Sequence, residues 1–184
     1  MSKGPPDSTP HGVIPGRPAY WSRQYTEPFT LDDTEVQRII ERSDLAAVAW
    51  VTSNNEPVVS LIHYLWIDGH ITVTTTTNRA KYRAWQLNPA ASFCIWDPEN
   101  SFKQVTLRGW VETFRTEKFH RCWVTTMVER RFSHGDPKQQ FAMFDSPDRR
   151  YHRLHIDRIR SYDGSKQYRA EKYGLDSWED QDHQ

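Results

Sequence analysis

Four consecutive threonines, Thr74 to Thr77, run into Asn78 and then into three cations within five residues, Arg79, Lys81 and Arg83. Hydroxyls at the end of a strand, main-chain amides at the start of a helix and fixed positive charge together make a site for an anion, with phosphate the natural guest. A threonine-rich strand followed by a solvated basic helix has the same composition, so the segment marks a site and leaves its use open. A second group lies in KQVTLRGWVE (103–112), where Gln104 stands in an otherwise apolar strand pattern. A neutral amide donates and accepts at once, so it can read the edge of a heterocycle. On an amphipathic strand it can equally face water. Trp66, Trp85, Trp96 and Trp110 offer planar faces for stacking, although a chain poor in aliphatics needs them in its core.

Other chemistries lack their residues. There are only eight glycines and neither GxGxxG nor GxxxxGK[ST], which argues against a Rossmann or P-loop nucleotide site. HExxH and GxSxG are also missing. His152 and His155 form HxxH near an expected strand start, where the two side chains point to opposite faces. They are read as surface histidines, and no metal site is expected. Cys94, between Phe93 and Ile95, reads as a buried structural thiol. With Cys122 the only other cysteine, a disulfide framework or a CxxC zinc site is ruled out, and reduced thiols of a cytoplasmic protein are the expectation.

The elements that must position these residues follow from periodicity and turn chemistry. A helix is expected over about 32–43, with Asp32, Asp33 and Thr34 as caps and Val36, Ile39 and Ile40 on one face. LAAVAWVTS (45–53) reads as a buried strand. VVSLIHYLWI (58–67) and HITVTTTT (70–77) read as a hairpin around Asp68-Gly69. A short helix over 79–88 ends at Asn88-Pro89, and ASFCIWD (91–97) is a strand stopped by Asp97-Pro98. FKQVTLRGWVETF (102–114) is a long strand whose Gly109 signals a bulge or a sharp bend. Helices are expected at 116–131 and 137–144, the first with Phe119, Trp123 and Met127 on one face, and a last strand near 153–163. The fold class is α+β, mainly β: five or six antiparallel strands with flanking helices, which suggest a small barrel.

Six of the eleven prolines fall in the first 28 residues, so residues 1–29 are read as a Pro-rich arm whose Tyr20, Trp21 and Tyr25 can dock on the body. The domain spans 30–165 and a tail spans 166–184, with its acidic end DSWEDQDHQ expected to fray. The 184 residues carry 24 acidic and 24 basic side chains, and this balance removes the whole-chain argument for a nucleic-acid or membrane partner. The local basic run Arg149, Arg150, Arg153, Arg158 and Arg160 is read as a solvated face, with a grip on an anionic substrate or tail as the alternative.

TTTTNRAKYRAWQLNPAASFCIWDPENSFKQVTLRGWVE (74–112) resembles the flavin-binding split β-barrel family of pyridoxamine 5′-phosphate oxidase-like proteins. The matching features are a Thr followed six residues later by Lys, an Asn-Pro, a strand, Asp-Pro and a QVxxxG strand. The resemblance covers roughly 35–165 and includes the closing IDRIRSYDG. It implies a homodimer of six-stranded antiparallel split β-barrels with flanking helices, two cofactor sites at the interface, and FMN or the deazaflavin coenzyme F420 as cofactor. Other relatives bind haem. By this resemblance Thr75, Thr76, Arg79 and Lys81 would hold the cofactor phosphate, Gln104 would lie beside the ring, and the strand with Ser60 and His63 would run under it, partly through main-chain contacts. The implied activity is hydride transfer between F420 or FMN and a small organic substrate. His63 and Tyr64 are the candidates for protonating that substrate, and no catalytic residue is assigned beyond them. The alternatives are a cofactor-binding protein without turnover and a haem-binding split barrel. Three departures stand out: VVSLIH where the oxidase has RxVLLK, Asn78 at a position usually Gly in the deazaflavin branch, and Trp85, Gln86 and Leu87 in place of a more basic run.

Overall fold

The structure is a computed structural model and describes residues 29–131 and 136–173. The aromatic arm with Tyr20, Trp21 and Tyr25, and the acidic end, lie outside the described residues.

Helix α1 (Asp33–Arg42) starts where Asp32 accepts the Glu35 amide at 2.8 Å and buries Val36, Ile39 and Ile40, the stripe expected from spacing. Strands β1 (Leu45–Val51), β2 (Pro57–Ile67) and β3 (His70–Thr76) follow, with the β2–β3 turn at Asp68 (φ 52°) and Gly69 (φ 74°). Two consecutive positive φ values are what a two-residue hairpin with the sheet's own twist requires. Helix α2 (Ala80–Leu87) leads into β4 (Ala90–Trp96) and β5 (Lys103–Phe114). Helices α3 (Glu117–Arg131) and α4 (Pro137–Phe144) precede β6 (Arg149–Asp163), which begins four residues before the expected 153. Helix α5 (Gly164–Tyr173) was not foreseen; buried Asp163 starts it by accepting the Ser165 and Lys166 amides at 3.0 and 3.3 Å.

All six strands are antiparallel and close as β1-β2-β3-β6-β5-β4, the expected barrel. Inward residues such as Val48, Ile71, Phe93, Val105, Leu107 and Leu154 fill it, and Trp85 of α2 is buried in the same cluster. Outside, Trp123, Val124 and Met127 of α3 cover Leu65 and Tyr151 in a second apolar cluster, the packing role expected for that helix face. Buried His120 joins the two layers by sharing hydrogen bonds with Tyr151 Oη at 2.6 Å and Asp145 Oδ1 at 3.2 Å.

The β5–β6 ladder shifts register between Arg108 and Gly109, which is the bulge that the glycine signalled. A Cβ on Gly109 would lie 1.8 Å from the His155 carbonyl oxygen, so only glycine lets the strands meet there. At the other end of β4, buried Asp97 accepts the Glu99 amide at 3.0 Å and pairs with Arg38 at 2.5 Å. Burial alone would raise its pKa, but that amide, Arg38 and Arg42 outweigh burial and hold the carboxyl below its ordinary value.

Candidate functional site

The opening in the barrel wall lies between β2 and β3. They pair only from Tyr64↔Val73 to Ile67↔His70, and beyond Val73 the strand end Thr74–Thr76 pairs with β6 alone. Residues 57–63 of β2 keep β1 on one side, and no strand among the described residues pairs with them on the other. A strand edge of this kind presents unshared main-chain donors and acceptors. The same stretch exposes the large side chains Val59 (66%) and Leu61 (64%), with His63 next in the alternating row. An exposed apolar strand edge beside a cationic turn is a surface that a ligand or partner covers.

That turn is built by local bonds. The Arg79 amide donates to the Thr76 carbonyl at 3.0 Å, the Thr76 hydroxyl to Asn78 Oδ1 at 2.6 Å, and Arg83 to the Asn78 carbonyl at 2.9 Å. Asn78 is not among the described residues with positive φ, so its tolerance of left-handed geometry is not used here. The threonines divide by strand alternation: Thr75 is buried, the Thr74 hydroxyl donates to the Arg150 carbonyl at 3.0 Å, and Thr76 stands at the turn. Arg79 is the N-cap residue of α2 and is exposed, while Lys81 in the first turn is half-buried. Burial holds the Lys81 ammonium below its ordinary pKa, and no described residue gives it a hydrogen bond or an ion pair. A partly desolvated cation with no protein counter-charge is costly unless a ligand supplies one.

The other expected site residues lie elsewhere. Gln104 is exposed on β5, opposite Trp96 and Tyr162, and accepts from the Cys94 thiol at 3.5 Å. Thr76 is opposite Arg149, and Tyr162 lies thirteen residues further along β6. That span is up to about 40 Å of extended strand, so one chain does not bring Gln104 to Lys81. Ser60 shares the inward face of β2 with Val58 and Ile62; its hydroxyl is buried and unpaired, which leaves its main chain as the part open to a ligand. His63 is exposed, and its Nδ1 donates to the Asp44 carbonyl at 3.2 Å, so the neutral ring carries its lone pair on Nε2.

Tyr64 is a core residue. Its hydroxyl donates to the Ile40 carbonyl at 2.7 Å, and burial raises its pKa far above the ordinary phenol value. It therefore drops out as a proton donor to substrate. Tyr64→Phe is expected to cost about 1 kcal/mol of stability by leaving the Ile40 carbonyl unpaired, with ligand affinity unchanged; urea melts and a titration of the variant check both.

Three further expectations change. His152 is fully buried, not a surface residue, because β6 starts early and turns it under α2: its ring lies 4.7 Å from Trp85 and shares a hydrogen bond with Thr113 at 2.9 Å. Cys94 is half-buried, since strand alternation sets it on the outer face between inward Phe93 and Ile95. The basic run is not one solvated face: Arg158 and Arg160 are exposed, whereas half-buried Arg149 donates to the Phe144 carbonyl at 2.6 Å and sits 5.1 Å over that ring. Among the described residues no helix is long and apolar enough to cross a membrane, and no group of three or more His, Cys, Asp or Glu is placed to hold a metal ion.

The family model described as pyridoxamine 5′-phosphate oxidase matches residues 32–163. No curated protein sequence matches the chain. Among solved structures, the conserved hypothetical protein Rv2991 from Mycobacterium tuberculosis is 21% identical with a TM-score of 0.62, over 73% of this chain and 86% of that one. An F420 reductase is 23% identical with a TM-score of 0.54, over 67% of this chain and 94% of its own. The haem storage protein HutZ from Vibrio cholerae is 16% identical with a TM-score of 0.55, over 69% and 92%. At these identities the likeness shows a shared fold.

Proposed function

Since this chain belongs to the pyridoxamine 5′-phosphate oxidase family, we propose that it binds FMN or F420 and is an oxidoreductase moving a hydride between that cofactor and a small organic substrate. The observation that carries this reading is Lys81, a half-buried ammonium with no counter-ion among the described residues, in the first turn of the helix that follows the Thr74–Thr76 strand end. A cofactor phosphate fits there: it supplies the missing charge, and the amides at the start of α2 and Arg79 add donors. The flavin or deazaflavin, when bound, supplies the redox chemistry. The chain's part is to anchor the phosphate with Lys81 and Arg79, to offer the open edge of β2 to the ring, and to exclude water with Val59 and Leu61. His63, on the same exposed row, is the residue proposed to move a proton at substrate.

A homodimer completes the proposal. Gln104 and Lys81 lie at opposite ends of the barrel in one chain, so a second copy is needed to bring both to one ring. The exposed Val59 and Leu61 would be covered in the same step. Sedimentation should then give twice the chain mass.

Separate fluorescence titrations with FMN and F420 test the cofactor. One of them should bind, and Lys81→Ala should weaken it by about 1.5–3 kcal/mol, the value of a charge-assisted hydrogen bond. Unchanged affinity in Lys81→Ala would remove the assigned phosphate contact. Failure of both cofactors, with haemin giving an intense Soret band, would replace the reading with haem binding.

A further inference from the structure

Helix α2 has a second working side. Tyr82 and Gln86, one turn apart on α2, line a cleft of about 580 Å³ with Thr113 of β5, Arg115 just after it, Glu117 from α3 and Arg150 from β6. Lys81 is not in its wall. A volume of this size suits a small organic molecule.

The lining is rich in donors that are already held in place. Arg150 gives its NH1 group to the Pro147 and Arg149 carbonyls, both at 2.8 Å, and no described residue engages its Nε or NH2. Arg115 gives NH1 to the Ser146 and Arg149 carbonyls at 2.8 and 3.3 Å and NH2 to Glu117 at 3.2 Å. Glu117 is the one carboxylate in the wall, so two guanidinium groups outweigh it. The Thr113 hydroxyl is fixed from two sides, by Gln86 Nε2 at 3.3 Å and by the ring of buried His152 at 2.9 Å. Pinned guanidinium groups lose little freedom when a ligand arrives, and their planar edges match two oxygens of one oxyanion.

We propose that this cleft is a binding site for a phosphate- or carboxylate-bearing small molecule, held by Arg150 and Arg115 with Tyr82, Gln86 and Thr113, and separate from the Lys81 site. Binding there does not depend on whether Lys81 meets a flavin.

Calorimetry with inorganic pyrophosphate tests it on the full chain. Lys81→Ala should keep a pyrophosphate site with affinity within about twofold of the wild type, while Arg150→Gln weakens that site about tenfold or more. If Arg150→Gln does not fold, Gln86→Leu at the exposed residue combined with Tyr82→Phe at the half-buried one should weaken it about threefold or more. The proposal is overturned if the wild type binds no pyrophosphate, or if Lys81→Ala abolishes binding and Arg150→Gln does not. It is also overturned if saturating FMN or F420 displaces pyrophosphate, since the oxyanion would then belong to the cofactor itself. The cofactor reading fails separately, through FMN and F420 titrations that ignore Lys81.

Discussion

Gly109→Ala is expected to lower stability by about 4 kcal/mol or more, near the upper end of single-substitution effects. The added methyl would lie 1.8 Å from the His155 carbonyl oxygen and 2.9 Å from the carbonyl carbon, and both are main-chain atoms of the facing strand. A flexible side chain could swing aside, but this backbone is held on both sides of the bulge by the longest ladder in the barrel, from Lys103↔Asp163 to Phe114↔Tyr151. Relief requires moving β6 as a unit, which opens the core around Leu107, Val111 and Leu154. Thermal melts followed by circular dichroism should show the midpoint falling by about 10 °C. Gly69→Ala is the comparison: its φ of 74° is strained for alanine, but nothing lies within 4 Å, so about 1 kcal/mol is expected. Equal losses in the two variants would contradict the close approach at Gly109.

The second large effect is acid sensitivity near neutral pH. His152 is fully buried against Trp85 and Tyr82; burial first, and the Lys81 charge second, lower its pKa from 6.5 to about 3. The folded protein therefore holds this ring neutral while the unfolded chain binds a proton below pH 6.5. The stability contribution is intact above pH 6.5 and is lost as pH falls from there toward about 3. The slope approaches about 1.4 kcal/mol per pH unit, so urea melts at pH 7.5 and pH 5 should differ by about 2 kcal/mol. Asp97 adds its own loss lower down: its carboxyl is held below 3.8, so its contribution is present above that value and fades as pH falls through the folded pKa. His152→Gln should start less stable and show a flatter profile between pH 6.5 and 5. A profile as steep as the wild type's would assign the acid loss to other groups. An anion bound at Lys81 should also ease the protonation of His152, because it offsets the charge that opposes it.

Much of the barrel is legible along the chain, for local reasons. The Val36, Ile39 and Ile40 stripe, the Asp68-Gly69 hairpin and the stops at Asn88-Pro89 and Asp97-Pro98 all follow from spacing and backbone preference within a few residues. Gly109 is the most informative single residue, because a glycine inside a strand pattern has few uses and the bulge is one of them. The start of β6 is not legible in the sequence, since Arg149 and Arg150 look like a solvated pair until their partners across space, the Phe144 and Pro147 carbonyls, are known. Burial of His152 was lost with that boundary.

The chain by itself determined the elements from α1 to α4 and their order, the cationic turn after Thr74–Thr77 and the glycine on which β5 bends, because each depends on neighbours within a turn or a strand. Only the tertiary structure decided that β2 and β3 part after Tyr64↔Val73 and leave an open edge beside Lys81. It also decided that Ser60 and Tyr64 turn inward, that Gln104 lies at the far end of the barrel from Lys81, and that Arg115 and Arg150 meet Tyr82 and Gln86 across a cleft. Those outcomes come from ladder register and barrel closure, which join residues tens of positions apart, and no local spacing records which strand edges will meet.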